Sequence, residues 1–87
     1  MRVKEINQTC YVCPSQWEGY LEDGRMFYAR YRWGHLSVLV SKEPTNNIHD
    51  AIMNEDSIIS MPYGDDYDGF MDTDTLCDVM RNYGFTF

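Results

Sequence analysis

Eighty-seven residues carrying a net charge of −7 make one domain: at this length roughly 60–65% of the unfolded surface can be hidden, which leaves no second core to build. No apolar run approaches the roughly 20 residues of a membrane span. The acidic excess disfavours nucleic acid as a partner, because phosphate neutralisation dominates such affinity.

In chain order, Met1-Arg2-Val3-Lys4-Glu5 lacks the apolar centre of a secretion signal, so a cytoplasmic location is expected. Arg2 to Asn7 alternates around Val3 and Glu5 until Ile6 breaks the pattern, which predicts a short edge strand. Tyr11-Val12-Cys13 extends it after a kink. Pro14 ends it, since proline supplies no ladder donor.

Gln16 to Lys42 predicts a three-stranded antiparallel meander. Asp23-Gly24 suits a two-residue type I′ turn, and Gly34-His35 suits a II′ turn. These turns pair Tyr20 with Phe27, Glu18 with Ala29, Trp33 with Leu36 and Tyr31 with Val38. One face then carries Tyr20, Phe27, Ala29, Tyr31, Trp33, Leu36, Val38 and Val40, and is the expected core. The other carries Trp17, Leu21, Met26, Tyr28, Arg30, Arg32, Ser37, Leu39 and Ser41.

Glu43 to Asn47 is loop by composition. Asn46 or Asn47 caps a short helix from Ile48 to Met53, with Ile48, Ala51 and Ile52 on one side. Ser57 to Met61 is a brief β-prone run stopped by Pro62. Tyr63 to Gly69 is an Asp- and Gly-rich loop. Asp72 or Thr73 then caps a helix with the stripe Leu76, Val79, Met80 and Tyr83, and Gly84 stands where a left-handed cap belongs. Phe85 and Phe87 are expected to pack back onto the sheet. The whole predicts an α+β domain over residues 1–87, an antiparallel β-meander of three to five strands packed against one or two short helices.

Charge divides unevenly along the chain. Residues 1–42 hold six basic against four acidic side chains, a balance of +2, whereas from Glu43 onward Arg81 alone faces ten carboxylates, a balance of −9. The second half is therefore expected to attract basic surfaces, with Asp65, Asp66, Asp68, Asp72 and Asp74 as its contact residues.

Other constellations are weighed by what their chemistry requires. Cys10 and Cys13 have the spacing of a zinc knuckle, but a structural site needs two further ligands and only Cys77, His35 and His49 remain, irregularly placed. No metal or other cofactor is expected. Tyr63-Gly64-Asp65-Asp66 matches a polymerase metal motif in a chain too short for a polymerase. A calcium-loop reading around Asp66, Asp68, Gly69 and Asp72 puts Gly64 and Thr75 where acidic ligands belong. Trp17, Tyr28, Arg30 and Arg32 form an alternative face on which bases stack between rings and guanidinium groups. His35 and His49 have no paired nucleophile or carboxylate, and no enzymatic activity is expected.

The run Cys13-Pro14-Ser15-Gln16-Trp17-Glu18-Gly19, with Asp23-Gly24-Arg25 and Arg30-Tyr31-Arg32-Trp33-Gly34-His35-Leu36-Ser37-Val38, resembles a pattern in small proteins of bacteriophages and mobile elements. The resemblance covers about the first half of the chain and brings no activity with it. By analogy of type, with anti-CRISPR proteins as the best-known kind, it implies a non-catalytic protein that binds and inhibits a host protein with a basic surface. The alternatives are a nucleic-acid module on the Trp17 and Arg face and a regulator stabilised by metal at Cys10 and Cys13. An unpaired sheet edge would offer a route to a homodimer.

Overall fold

The alternation of apolar and polar residues from Ser15 to Val40 folds as three strands joined by two tight turns. The computed structural model describes residues 1–12, 14–54, 58–64 and 70–87. Its sheet is antiparallel, in the sequential order β1 (Val3–Cys10), β2 (Ser15–Leu21), β3 (Met26–Arg32), β4 (His35–Val40) and β5 (Ile59–Pro62). Helix α1 (His49–Ile52) precedes β5, and α2 (Thr73–Asn82) follows it. The expected α+β meander is present at the upper end of its strand range. Among the described residues no helix is long and apolar enough to cross a membrane.

Both turns differ from expectation, and with different consequences. At the first, Gly24 N–H donates to Leu21 O (3.0 Å) and Leu21 N–H to Arg25 O (2.8 Å), enclosing Glu22, Asp23 and Gly24. Gly24 has φ +90°, so this is a three-residue loop closed by a left-handed glycine instead of a two-residue turn. The Asp23 carboxylate locks it by accepting from Arg25 N (3.0 Å) and Nε (2.8 Å). β2 consequently slips by one residue relative to the expected pairing, with Tyr20 opposite Met26 and Trp17 opposite Ala29. A one-residue slip exchanges the two faces of a strand. Trp17 and Leu21 therefore enter the core, 0% and 1% exposed, while Tyr20 turns to the other face.

At the second turn Trp33 (φ 54°) and Gly34 (φ 67°) occupy the corner, one position earlier than expected. Two positive φ angles fit a type I′ geometry. The pairing moves by two residues, to Tyr31 opposite Leu36 and Ala29 opposite Val38, so every side chain of β3 and β4 keeps its expected face. Trp33 leaves the strand and is 61% exposed, which corrects its placement in the core.

The core joins Val3, Trp17, Leu21, Phe27, Ala29, Tyr31, Leu36, Val38, Val40 and Ile59 of the sheet to Met71, Leu76, Val79, Met80 and Phe85. Helix α2 thus lies on this face. Its N-cap is Asp72, whose carboxylate accepts from Thr75 N (2.7 Å), and Gly84 follows it with φ +94°. Tyr83, expected on the inner stripe, is the exposed C-cap. Phe85 packs on Phe27 with ring centroids 6.5 Å apart, but Phe87 is exposed and meets the Arg81 guanidinium instead of the sheet.

The second face is covered at one end. Ile48, just before α1, lines a recess with Glu18, Tyr20 and Met26, and Asn54 Nδ2 donates to Val40 O (2.7 Å). The N-cap of α1 is Ile48, with no side-chain capping bond, in place of the expected Asn46 or Asn47; Asn47 Oδ1 accepts from His49 N (3.1 Å) one residue ahead of the cap. The start of β1 is bridged by the C-terminal segment, through Val3 N–H to Thr86 O (2.7 Å) and Thr86 N–H to Met1 O (2.8 Å).

Candidate functional site

Strand alternation determines what the uncovered end of the second face displays. Tyr28, Arg30 and Arg32 project from β3; Gln16 lies beside Arg30 on β2, and Ser37 and His35 lie beside Arg30 and Arg32 on β4. Ser60 is next, across from Ser37, and its Oγ is 2.9 Å from His35 Nε2. Gln16 Nε2 donates to the Tyr28 hydroxyl (2.8 Å), and burial raises the pKa of that phenol above its usual value.

Trp17 does not belong to this face. It is buried on the opposite side, where Nε1–H donates to Thr73 Oγ1 (3.0 Å) and that hydroxyl donates to Gln8 Oε1 (3.2 Å). The expected Trp17 and Arg30 neighbours are therefore separated by the sheet, and the base-stacking platform is not assembled. The ring that does accompany the arginines is Trp33, whose centroid is 5.3 Å from the Arg32 guanidinium carbon. A shallow recess is lined by Arg30, Arg32, Trp33, His35 and Ser37. Sequence reasoning missed the Trp33 pairing and the β5 contribution. The strict alternation of Gln16, Glu18 and Tyr20 against Trp17 and Leu21 was the signal that could have found the correct face.

The second region is the end of the sheet where β1, β3 and β5 finish. Val12 and Phe70 form an antiparallel bridge. Buried Ser15 ties them together, its hydroxyl donating to Tyr11 O (2.6 Å) and accepting from Met71 N (3.0 Å). Nearby in the topology, Tyr63 N–H donates to Gly34 O (2.8 Å), which draws the end of β5 to the Trp33-Gly34 corner. Large apolar side chains stand exposed here: Tyr11, Val12, Trp33, Tyr63 and Phe70.

Two of the expected acidic contact residues lie at this end. Asp72 and Asp74 are exposed at the start of α2, and hydrogen bonds from Thr75 hold the Asp72 carboxyl below its usual pKa. Asp65, Asp66 and Asp68, together with the polymerase-like and calcium-loop readings that use them, lie outside the described residues. So does Cys13. Cys10 is a half-buried free thiol, and Cys77 a buried one whose pKa burial raises. Among the described residues no group of three or more His, Cys, Asp or Glu is close enough to hold a metal ion.

A further recess between loop 42–45 and α1 is lined by Lys42, Glu43, Pro44, Thr45, Asp50, Met53 and Asn54. Asp50 is engaged by the Thr45 hydroxyl. Comparison of the chain with protein-family models, with curated proteins and with solved structures finds no match.

Proposed function

We propose that the chain is a non-catalytic binding protein of the phage or mobile-element type, acting in the host cytoplasm to occupy a basic surface of a host protein. The acidic stretch Asp65, Asp66, Asp68, Asp72 and Asp74 supplies charge complementarity, and Tyr11, Val12 and Phe70 supply the apolar contact. The observation that carries the reading is the Val12 to Phe70 bridge, which sets exposed apolar side chains from two distant parts of the chain close to Asp72 and Asp74 at the start of α2. Exposed apolar side chains rimmed by polar residues are characteristic of interaction sites. Neither Asp72 nor Asp74 is held in an ion pair among the described residues, where the pairs are Arg25 with Asp23 and Arg81 with Asp78. The Asp74 carboxylate is thus available to a basic partner, whereas that of Asp72 caps α2.

Affinity capture from host lysate, with the captured protein identified by mass spectrometry and then purified, supplies the partner for titration. Replacing Asp65, Asp66, Asp68 and Asp74 with Asn should weaken binding at least about tenfold and flatten its salt dependence. Phe70→Ala should weaken it separately. Binding unaltered in both variants rejects the reading.

A further inference from the structure

The face built around Arg30 and Arg32 has a chemistry that acidic docking does not use. Both residues are half-buried, and each Nε–H is out of reach of solvent without a hydrogen-bond partner. Among the described residues neither guanidinium has a carboxylate within ion-pair distance, although the chain carries 14 acidic side chains. Two like charges at i and i+2 of one strand repel, and a shielded donor left without an acceptor costs more than its pairing would return. Both guanidinium groups line an open recess, where an acceptor arriving from outside can meet them.

The surroundings narrow the acceptor's identity. Arg32 is held against Trp33, and Ser37 and His35 line the same recess, so the wall is rich in donors and contains no carboxylate. Guanidinium forks match the paired oxygens of a phosphoryl group and grip it with two parallel hydrogen bonds. The net charge of −7 opposes a long polyanion, whereas a single phosphoryl group needs only the donors that line the recess. We infer that this recess binds a single phosphoryl group, with Arg30 and Arg32 as the clamp. The group comes either as free phosphate or as a small phosphate ester whose organic part lies on the exposed indole of Trp33. The inference is independent of the acidic docking surface.

Titration of ¹⁵N-labelled protein with inorganic phosphate and with adenosine monophosphate, against sodium chloride of equal ionic strength, tests it by NMR. The expected result is saturable shifts of the Arg30 and Arg32 Nε–H and of the Trp33 indole, with a dissociation constant of about 1 mM or tighter. Arg30→Lys and Arg32→Lys keep the charge but lose the fork, and should each weaken binding about tenfold while the core resonances stay in place. Tighter binding of the nucleotide that Trp33→Ala abolishes identifies an ester ligand; equal binding of the two probes identifies free phosphate. Absence of saturable shifts with both probes, or shifts that survive in the lysine variants, overturns the proposal.

Discussion

On one face of the sheet Trp17, Phe27, Tyr31, Leu36 and Val38 are sealed beneath α2. On the other, the same strands hold Arg30, Arg32, His35 and Ser37, and the α1 region covers only the opposite end. Full burial of one large apolar side chain contributes about 1.5–3 kcal/mol. The first face therefore carries the folding free energy, and the second is free to carry charge that folding does not require. Each strand serves both because consecutive side chains point to opposite sides. Among the described residues, the arginine face and the aromatic end of the sheet are neither sealed nor covered.

The tryptophans offer the strongest test of that contrast. Trp17→Ala should cost about 3–5 kcal/mol in urea unfolding, since it empties a buried site and removes the indole hydrogen bond to Thr73. Trp33→Ala should change stability by less than about 0.5 kcal/mol. In the intact protein acrylamide should quench Trp33 and leave Trp17 largely untouched. Equal costs for the two variants would mean that the faces have been assigned wrongly.

A smaller effect sharpens the packing of the sealed face. Gly19 sits opposite Phe27, and a Cβ there would run into the Phe27 ring and the Glu5 carbonyl oxygen. Gly19→Ala should lower stability by about 1–3 kcal/mol. Adding Phe27→Leu should return only part of the loss, because the Glu5 obstacle is backbone. Complete recovery in the double variant would show that the ring alone requires the glycine.

The smallest expected effect lies at the join between α2 and the acidic stretch. Hydrogen bonds from Thr75 hold the Asp72 carboxyl below the ordinary value of 3.8 in the folded chain. A carboxyl whose folded pKa is depressed stabilises fully above its unfolded value and loses that contribution as pH falls through the folded one. Unfolding midpoints followed downward from pH 5 should therefore fall less steeply for Asp72→Asn, which keeps an acceptor at the cap without a titrating group. Identical acid profiles would remove Asp72 from the pH response.

The residues also separate what local pattern determines from what only assembly decides. The sequence by itself specified the faces of β3 and β4 and the cap positions of α2: a period of two leaves Phe27, Ala29 and Tyr31 no other side to share, and Asp72 and Gly84 carry their own turn chemistry. It also carried the acidic imbalance of the second half. The facing of β2 was not legible in the same way, because Asp23-Gly24 suits loops of either two or three residues and the choice reverses every side chain of that strand. Tertiary structure selected the loop that buries Trp17 and Leu21 beneath α2. The corner at Trp33 shifted the register of β4 by two, and an even shift leaves alternation intact. Only the folded chain could bring Val12 to Phe70 and rest Arg32 on Trp33 beside His35, since contacts that depend on register and on long-range bridges have no signature in local pattern.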